Sequence, residues 1–365
     1  MESFRGLNAS RFRATLGLLG KRIEKKLIDF HSGSSGSPQD EPAKADTTWV
    51  ITDGSVGMEA QGIAVAEAVG LPFTLKRVRP KGTMRLVPTP LQILVPGQTL
   101  LRAMDTSEPL ESPWPRLVIS IGRRSVPTAL AIKRLSGAYA LHIQNPKVPA
   151  GLFDLVATPV HDNFESTNVI TTFGAVHSVT PERLAEAGKS FAPHIKALPH
   201  PRVTVLLGGE SQAFSFPPKI AMELGAKLAN LARETGGSLL VTPSRRTNPD
   251  TLAALSHAIV DTPHFIWDGT GENPYFAFLS LADAIVVTHD SVNMVTEAVG
   301  TGKPVYVQAL PGRSTRLSRF HGLMRERGAT RPFEGHLESW GYAPVNDTEL
   351  VASAIRHALD LETKD

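Results

Sequence analysis

The sequence contains no cysteine among its 365 residues. This absence excludes disulfide bonds, thiolate metal sites and cysteine nucleophiles, and it is compatible with a reducing compartment. The chain also lacks an apolar run long enough to cross a membrane and an apolar signal-peptide core at its start. No clustered carboxylate or histidine pattern indicates a metal site. We therefore expect a cytoplasmic protein that uses neither a metal nor a cofactor.

The chain has little net charge, +3 at neutral pH. Residues 1–30 hold seven basic and three acidic side chains, a net charge of +4, which leaves −1 for the rest of the chain. The basic character is therefore local, and a nearly neutral body argues against a nucleic-acid surface.

The first 30 residues follow a helical pattern. Within residues 7–30 the apolar side chains recur at steps of three and four, so they share one stripe of a helix: Phe12, Leu16, Leu19, Ile23, Leu27 and Phe30. Basic side chains flank that stripe, and residues 31–46 are rich in Ser, Gly and Pro, which is typical of a flexible linker. We expect this helix to lie on the inner face of an anionic membrane or to bind a partner protein. The alternative is packing on the protein's own body or on a second copy.

From residue 47 onward, short apolar runs alternate with helical patterns, which predicts parallel sheets with helices on both faces. A chain of this length is expected to form two domains. We predict two Rossmann-like doubly wound α/β domains facing a cleft, over residues 47–190 and 200–345, followed by a C-terminal helix over 346–365. The Pro-rich residues 80–115 predict mostly loop with a short helix or two. Residues 304–308 predict the last strand, and a basic segment with Arg313, Arg316 and Arg319 follows it.

One stretch, Ala284–Val305, predicts a buried strand, a polar turn and a helix in that order. Ser291 falls at the helix N-cap, where free amide groups and the helix dipole attract an anion. Glu297 follows six residues later and could accept hydrogen bonds from sugar hydroxyls. This pattern suits a nucleotide diphosphate, and it also suits an ordinary αβ unit with a Ser cap and a solvated Glu.

Polar turns follow several of the predicted strands, and the carboxyl ends of parallel strands share one edge of a sheet. The second half provides Gly208, Gly209, Ser211, Arg245, Arg246, His289, Asp290 and Ser291. The first half provides Asp53, Gly54, Gly57, the turn Gly122–Ser125, Gln144 and Asn145. Glycine amides and paired arginines would neutralise a diphosphate, above all a departing one. Asp53 is either a general base or a helix cap. The two sets predict a single site between the domains.

Six motifs carry a resemblance to the elongated-mitochondria (mitochondrial fission) family. They are Trp49-Val50-Ile51-Thr52-Asp53-Gly54, Ile121-Gly122-Arg123, His142-Ile143-Gln144-Asn145-Pro146, Leu207-Gly208-Gly209, Thr242-Pro243-Ser244-Arg245-Arg246-Thr247 and Val287-Thr288-His289-Asp290-Ser291-Val292-Asn293-Met294. The family is similar in turn to GT-B glycosyltransferases, particularly the one that adds N-acetylglucosamine to the lipid-linked peptidoglycan precursor. That likeness implies a donor-ribose role for Glu297 and places Asn293 and Met294 at the donor site.

We therefore predict a membrane-associated, metal-independent GT-B-type glycosyltransferase with a nucleotide-diphosphate sugar as its donor. Ser291 would hold the diphosphate, Arg245 or Arg246 would stabilise the departing charge, and Asp53 would deprotonate the acceptor. The resemblance also implies an alternative, because plant members of the family recruit a dynamin-like GTPase: a non-catalytic membrane adaptor. A nucleotide-sugar epimerase of the same shape is the third hypothesis.

Overall fold

The computed structural model describes residues 44–361. The predicted amphipathic helix and most of the predicted linker lie outside the described residues. Residues 44–46, expected to end the linker, instead begin the first strand, because Lys44 and Ala45 pair with Trp114 and Pro115 of a neighbouring strand. Among the described helices, none is long and apolar enough to cross a membrane.

The first sheet has seven strands. In chain order they are β1 (Lys44–Thr52), β2 (Phe73–Pro80), β3 (Met104–Thr106), β4 (Trp114–Ile121), β5 (Tyr139–Ile143), β6 (Leu155–Pro159) and β7 (Val169–Thr172). Their order across the sheet is β3-β2-β1-β4-β5-β6-β7, and all pairs are parallel except β2 with β3. The central strands are almost wholly buried, as expected where helices cover both faces of a parallel sheet.

Four helices accompany this sheet: α1 (Val56–Val69), α2 (Thr89–Gln92), α3 (Gly97–Arg102) and α4 (Val126–Ser136). The next helix, α5 (Pro181–Phe191), packs on the second half of the molecule, where Phe191 contacts Phe265 and Phe278. Helix α1 begins directly after β1 and ends at Gly70, a left-handed residue whose amide caps the carbonyl of Ala66. Since α1 follows the carboxyl end of β1, its N-terminus lies at the edge of the sheet where ligands bind in open α/β folds.

The second sheet has six strands, all parallel. They are β8 (Arg202–Leu207), β9 (Ser238–Pro243), β10 (His264–Ile266), β11 (Ala284–Thr288), β12 (Val305–Gln308) and β13 (Thr330–Pro332), in the order β10-β9-β8-β11-β12-β13. The helices are α6 (Pro218–Thr235), α7 (Pro249–Ala258), α8 (Tyr275–Leu281), α9 (Val292–Val299) and α10 (Thr315–Glu326). The prediction of two Rossmann-like α/β domains is thus confirmed.

The chain crosses between the sheets twice. The last helix, α11 (Thr348–Ala358), returns to the first sheet, where Val351, Ala352 and Ile355 join the core cluster around Val50 and Ile119. The two crossings are bonded to each other: the amide of His177 donates to Thr348 Oγ1 at 2.8 Å. The C-terminal helix therefore belongs structurally to the first half of the molecule.

Three elements differ from the sequence-based expectation. Strand β3 lies within the Pro-rich stretch, α10 covers the basic segment after the predicted last strand, and β13 extends the second sheet by one strand. Strands β3 and β13 have three residues each, and both pair at the sheet edges, so neither shows the long apolar run that identifies a buried strand.

Candidate functional site

The N-termini of two helices, α1 and α9, meet where the two sheets face each other. The side-chain amide of Asn293, in the first turn of α9, donates from Nδ2 to the carbonyl of Gly57 in the first turn of α1 at 2.9 Å. Gln61 completes the contact by donating from Nε2 to Asn293 Oδ1 at 3.0 Å. A Cβ atom at Gly57 would lie 2.7 Å from Asn293 Nδ2, so the asparagine amide would have to move away from a larger residue at this position.

Both helix ends present amide groups to this junction. Ser291 caps α9 by accepting from the amide of Met294 at 3.3 Å, as the sequence predicted. Ser55 precedes α1 and makes no side-chain cap. The first amides of a helix have no acceptor within that helix, and the dipole adds partial positive charge. Two such ends within one side chain of each other form an anion-attracting pair.

Asp290 organises the turns of the second sheet. Its side chain is fully buried, with Oδ1 accepting from Thr288 Oγ1 at 2.7 Å and Oδ2 accepting from the amide of Gly209 at 3.2 Å. The amide of Gly208 also donates to Thr288 Oγ1 at 2.7 Å. The turns after β8, β9 and β11 do lie together, as expected from the parallel sheet. However, the glycine amides predicted to hold a phosphate already donate to acceptors of the protein itself.

The two predicted arginines have different surroundings. Arg246 donates from Nη2 to Asp290 Oδ2 at 2.6 Å and from Nη1 to the Gly209 carbonyl at 3.4 Å, so a buried carboxylate neutralises its charge. Arg245 is exposed, and within residues 44–361 its guanidinium has no hydrogen-bond or ion-pair partner. Arg245 is therefore the member of the pair that remains available to an external anion.

Asp53 lies at the carboxyl end of β1, partly buried. Its Oδ1 accepts from the amide of Ser55 at 3.1 Å, and Arg124 Nη1 lies 3.4 Å from Oδ2. The Ser55 contact closes a turn ahead of α1 and does not cap the helix, whose N-cap residue is Ser55 itself. The Arg124 contact places an exposed cation beside the Asp53 carboxyl group. Gly54 beside it has a φ of +91°, a conformation that glycine adopts without strain.

The turn after β5 places Gln144 and Asn145 on the first sheet at the same edge. Gln144 adopts a φ of +79°, unusual for a residue with a side chain, and its backbone amide donates to the carbonyl of Ala157 at 2.7 Å. Such strain is often found at functional sites. Asn145 Oδ1 accepts from the amide of Lys147 at 2.9 Å. Beneath them, His142 is fully buried against Ser120, and burial lowers the pKa of His142 to about 3, so it stays neutral.

Glu297 is bonded to the protein rather than solvated. Its Oε2 accepts from the hydroxyl of Tyr275 at 2.5 Å. Burial raises the pKa of Glu297 to about 7, while the Tyr275 hydrogen bond and the charge of Arg183 act in the opposite direction. The carboxyl group is therefore poised between its neutral and charged forms at physiological pH. A neutral carboxyl can also donate a hydrogen bond.

The remaining predicted residues have structural partners. His289 Nδ1 accepts from the amide of Leu310 at 2.9 Å, and burial lowers the pKa of His289. Ser211 Oγ accepts from the amides of Ala213 and Phe214, which shapes the turn after β8. Met294 packs against the core cluster beneath α9.

Sequence reasoning missed Gln61 and Tyr275. Each acts through a partner distant in sequence, such as Asn293 for Gln61, so no local pattern could have found it. The turn that carries Arg124 was predicted, but its contact with Asp53 was not. Two cavities of about 640 Å³ lie elsewhere. One is at the amino ends of β1, β4 and β5, and the other lies among α1, α5 and α11. Among the described residues, no group of three or more His, Asp or Glu side chains could hold a metal ion.

Comparison with known proteins identifies the family. The family model described as "Mitochondrial fission ELM1" matches residues 56–359. The chain is 33% identical over 278 residues to the mitochondrial fission protein ELM1 of Arabidopsis thaliana, a match that covers 68% of this chain and 65% of the plant protein's length. It is 25% identical over 360 residues to an uncharacterized protein of Rickettsia prowazekii, covering 86% of this chain and 98% of that one.

The fold also matches solved structures. The UDP-GlcNAc 2-epimerase of Methanocaldococcus jannaschii superposes with a TM-score of 0.53 over 86% of this chain and 99% of that one. At 10% identity this likeness concerns the fold alone. The two facing Rossmann-like domains and the family match lead to one conclusion: the chain belongs to the mitochondrial fission ELM1 family, and its fold is of the GT-B type.

Proposed function

We propose that this protein is a membrane-associated GT-B-type glycosyltransferase that binds a nucleotide-diphosphate sugar where α1 and α9 meet. The single observation that carries the proposal is the Asn293–Gly57 contact, which brings two helix N-termini from different domains together. Each end offers unpaired amides and a positive dipole, and a diphosphate is an anion of the size to contact both. Arg245 adds an unpaired guanidinium at the same edge of the second sheet.

In this proposal each residue has a defined task. The cap of Ser291 positions the α9 amides on the diphosphate, and Arg245 stabilises the charge that develops as the nucleotide departs. Glu297 faces the ribose hydroxyls and exchanges its Tyr275 partner for them. Asp53, held beside Arg124, takes the proton of the acceptor hydroxyl. The helix predicted within residues 7–30 keeps the protein on the membrane.

The experiment is a calorimetric titration of nucleotide diphosphates into wild-type protein and into a Ser291→Ala, Glu297→Ala variant. We expect the variant to bind roughly tenfold more weakly or worse, because it loses the cap and the ribose contact. Arg233→Ala, an exposed arginine on α6, is the control. Equal nucleotide affinity in the double variant and the wild type would refute the donor site.

A second candidate function is a non-catalytic membrane adaptor, and one observation favours it. Thr288 and Asp290 accept from the backbone amides of Gly208 and Gly209, and Asp290 pairs with Arg246. Fewer groups therefore remain to bind a ligand than the sequence predicted. Deleting residues 1–43, which leaves β1 complete, separates the two functions. An adaptor should lose its function, whereas a transferase should keep turning over a water-soluble acceptor. A nucleotide-sugar epimerase is a third candidate and would convert the donor without any acceptor.

A further inference from the structure

The segment between β2 and β3 exposes three leucines to solvent. Leu86 is 84% exposed, Leu91 42% and Leu94 50%. Isolated exposed leucines are common, but these three fall within nine residues of one another. Leu91 and Leu94 belong to consecutive turns, since the amide of Leu94 donates to the Leu91 carbonyl at 3.1 Å. We call Leu86, Leu91 and Leu94 the leucine patch.

The leucine patch is held in place from beneath. The side-chain amide of Gln92 donates to the carbonyls of Met84 and Val87, which ties the turn carrying Leu86 to α2. Arg134 on α4 donates to the carbonyl of Ile93 at 2.9 Å, and Ile93 itself is buried in the core. The leucines are thus exposed on an anchored segment, and their exposure is a property of the fold.

Three cations lie at the base of the same segment. Lys81, Arg85 and Arg102 are exposed, and within residues 44–361 no carboxylate pairs with any of them. Backbone contacts group them: the amide of Lys81 donates to Ala103, next to Arg102, and Arg85 Nε donates to the Pro80 carbonyl. The sequence contains no Asp or Glu between Glu67 and Asp105.

We infer that the leucine patch and these three cations form a docking surface for an anionic lipid membrane. Exposed leucines flanked by Lys and Arg suit the headgroup layer, where apolar side chains enter the acyl boundary and cations meet lipid phosphates. Two other occupants fit less well. Residues 1–30 of the chain carry a net charge of +4, which the three cations would repel. A second copy would place its own three cations opposite these.

The docking surface lies near the edge of the first sheet that carries Asp53. Strand β2 runs parallel to β1, so the residues after Pro80 leave the sheet at the edge that carries Asp53. A membrane bound here would lie beside that edge. The surface is separate from the donor site and does not depend on the proposed activity.

The test uses the absence of native cysteine. A single Leu91→Cys substitution in the full chain accepts a polarity-sensitive fluorophore, and Leu350→Cys, an exposed leucine on α11, is the matched control. Vesicles of phosphatidylcholine with about an equal amount of phosphatidylglycerol are then added. We expect a blue shift and quenching by nitroxide-labelled lipid at position 91 and neither at position 350.

A second arm tests the charges. Lys81→Glu with Arg85→Glu should weaken vesicle binding of the full chain by at least about tenfold. Lys219→Glu with Arg233→Glu, on α6, changes the net charge equally and should have a much smaller effect.

Three results would overturn the inference. The chain could sediment with vesicles while the label at position 91 stays unchanged, which would assign lipid binding to other residues. The label could shift without vesicles as protein concentration rises, which would assign the patch to a second copy. It could also be shielded in dilute protein, which would mean that another part of the chain covers it.

Discussion

At the residue scale, the adjacent arginines Arg245 and Arg246 belong to one motif but have different contacts. Arg246 lies against the fully buried carboxylate of Asp290, whereas Arg245 has no partner in the described part of the chain. Only Asp290 is buried in this pair, since 41% of the Arg246 side chain is exposed, so the loss of Arg246 would be costly but less so than in a fully buried pair. An exposed arginine without a partner contributes little to stability.

This difference gives a paired prediction. Arg246→Ala should lower the free energy of unfolding by about 1 to 2 kcal/mol, because the buried side chain of Asp290 loses its ion-pair partner. Arg245→Ala should change it by less than about 0.5 kcal/mol and should weaken nucleotide diphosphate binding instead. Urea unfolding of both variants measures the first effect and calorimetry the second. Equal losses of stability in both variants would show that the two arginines do not differ in this way.

A second prediction concerns the pH dependence that Glu297 imposes. In the folded protein the Glu297 carboxyl group keeps its proton up to a pKa of about 7, while in the unfolded chain it releases the proton near 4.5. The folded state therefore binds more protons within that window, and its stability falls as the pH rises through it. Glu297→Gln keeps an acceptor for Tyr275 and removes the titration.

We expect the glutamine variant to gain roughly 2 kcal/mol of stability relative to wild type between pH 5 and pH 8. Urea unfolding at the two pH values measures this difference, and Glu223→Gln on the exposed face of α6 controls for the loss of one charge. A wild type and an E297Q variant with parallel pH profiles would show that Glu297 is ordinarily solvated.

The sequence located Ser291 and Glu297 correctly on one strand–turn–helix unit, because capping and periodicity are local properties. It could not show that Asp290 is buried, since the groups that surround Asp290 come from the turns after β8 and β9. Nor could it assign the tyrosine partner of Glu297, which lies on the preceding helix.

At the element scale, the turns after β8 and β9 are packed without space between them. A Cβ atom at Gly209 would overlap the carbonyl of Arg246, which is backbone and cannot swing aside. Gly209→Ala should therefore lower stability by about 2 kcal/mol or more. Gly151→Ala is the matched control, because a Cβ there meets nothing within 4 Å. Thermal unfolding compares the two, and a Gly209→Ala variant as stable as the control would refute the packing argument.

The long buried strands were predictable because parallel strands covered on both faces read as continuous apolar runs. Short edge strands such as β3 and β13 lack that pattern, and their pairing depends on neighbours brought in by the fold. The helix α10 was missed because its sequence is strongly basic, so its buried positions Phe320 and Met324 do not stand out.

At the scale of the whole molecule, the Asn293–Gly57 contact joins the two sheets at the proposed site. Gly57→Ala would place a Cβ atom against Asn293 Nδ2, and Asn293→Ala would remove the amide altogether. Each single variant should lose the same contact. The double variant should therefore be no less stable than the less stable of the two single variants. Unfolding free energies of the four proteins measure this cycle. Fully additive losses would mean that the two residues act independently.

We propose that the junction of α1 and α9 binds a nucleotide-diphosphate sugar. The most direct test is a thermal-shift screen of the full chain against nucleotide diphosphates and their sugar conjugates, with Arg245→Ala alongside. A ligand that binds only the folded state raises the melting temperature, by about 5 °C near a hundredfold excess over its Kd. We predict such a rise with one nucleotide sugar and a smaller rise in the variant. No shift with any of them, from a well-folded sample, would contradict it and favour the adaptor.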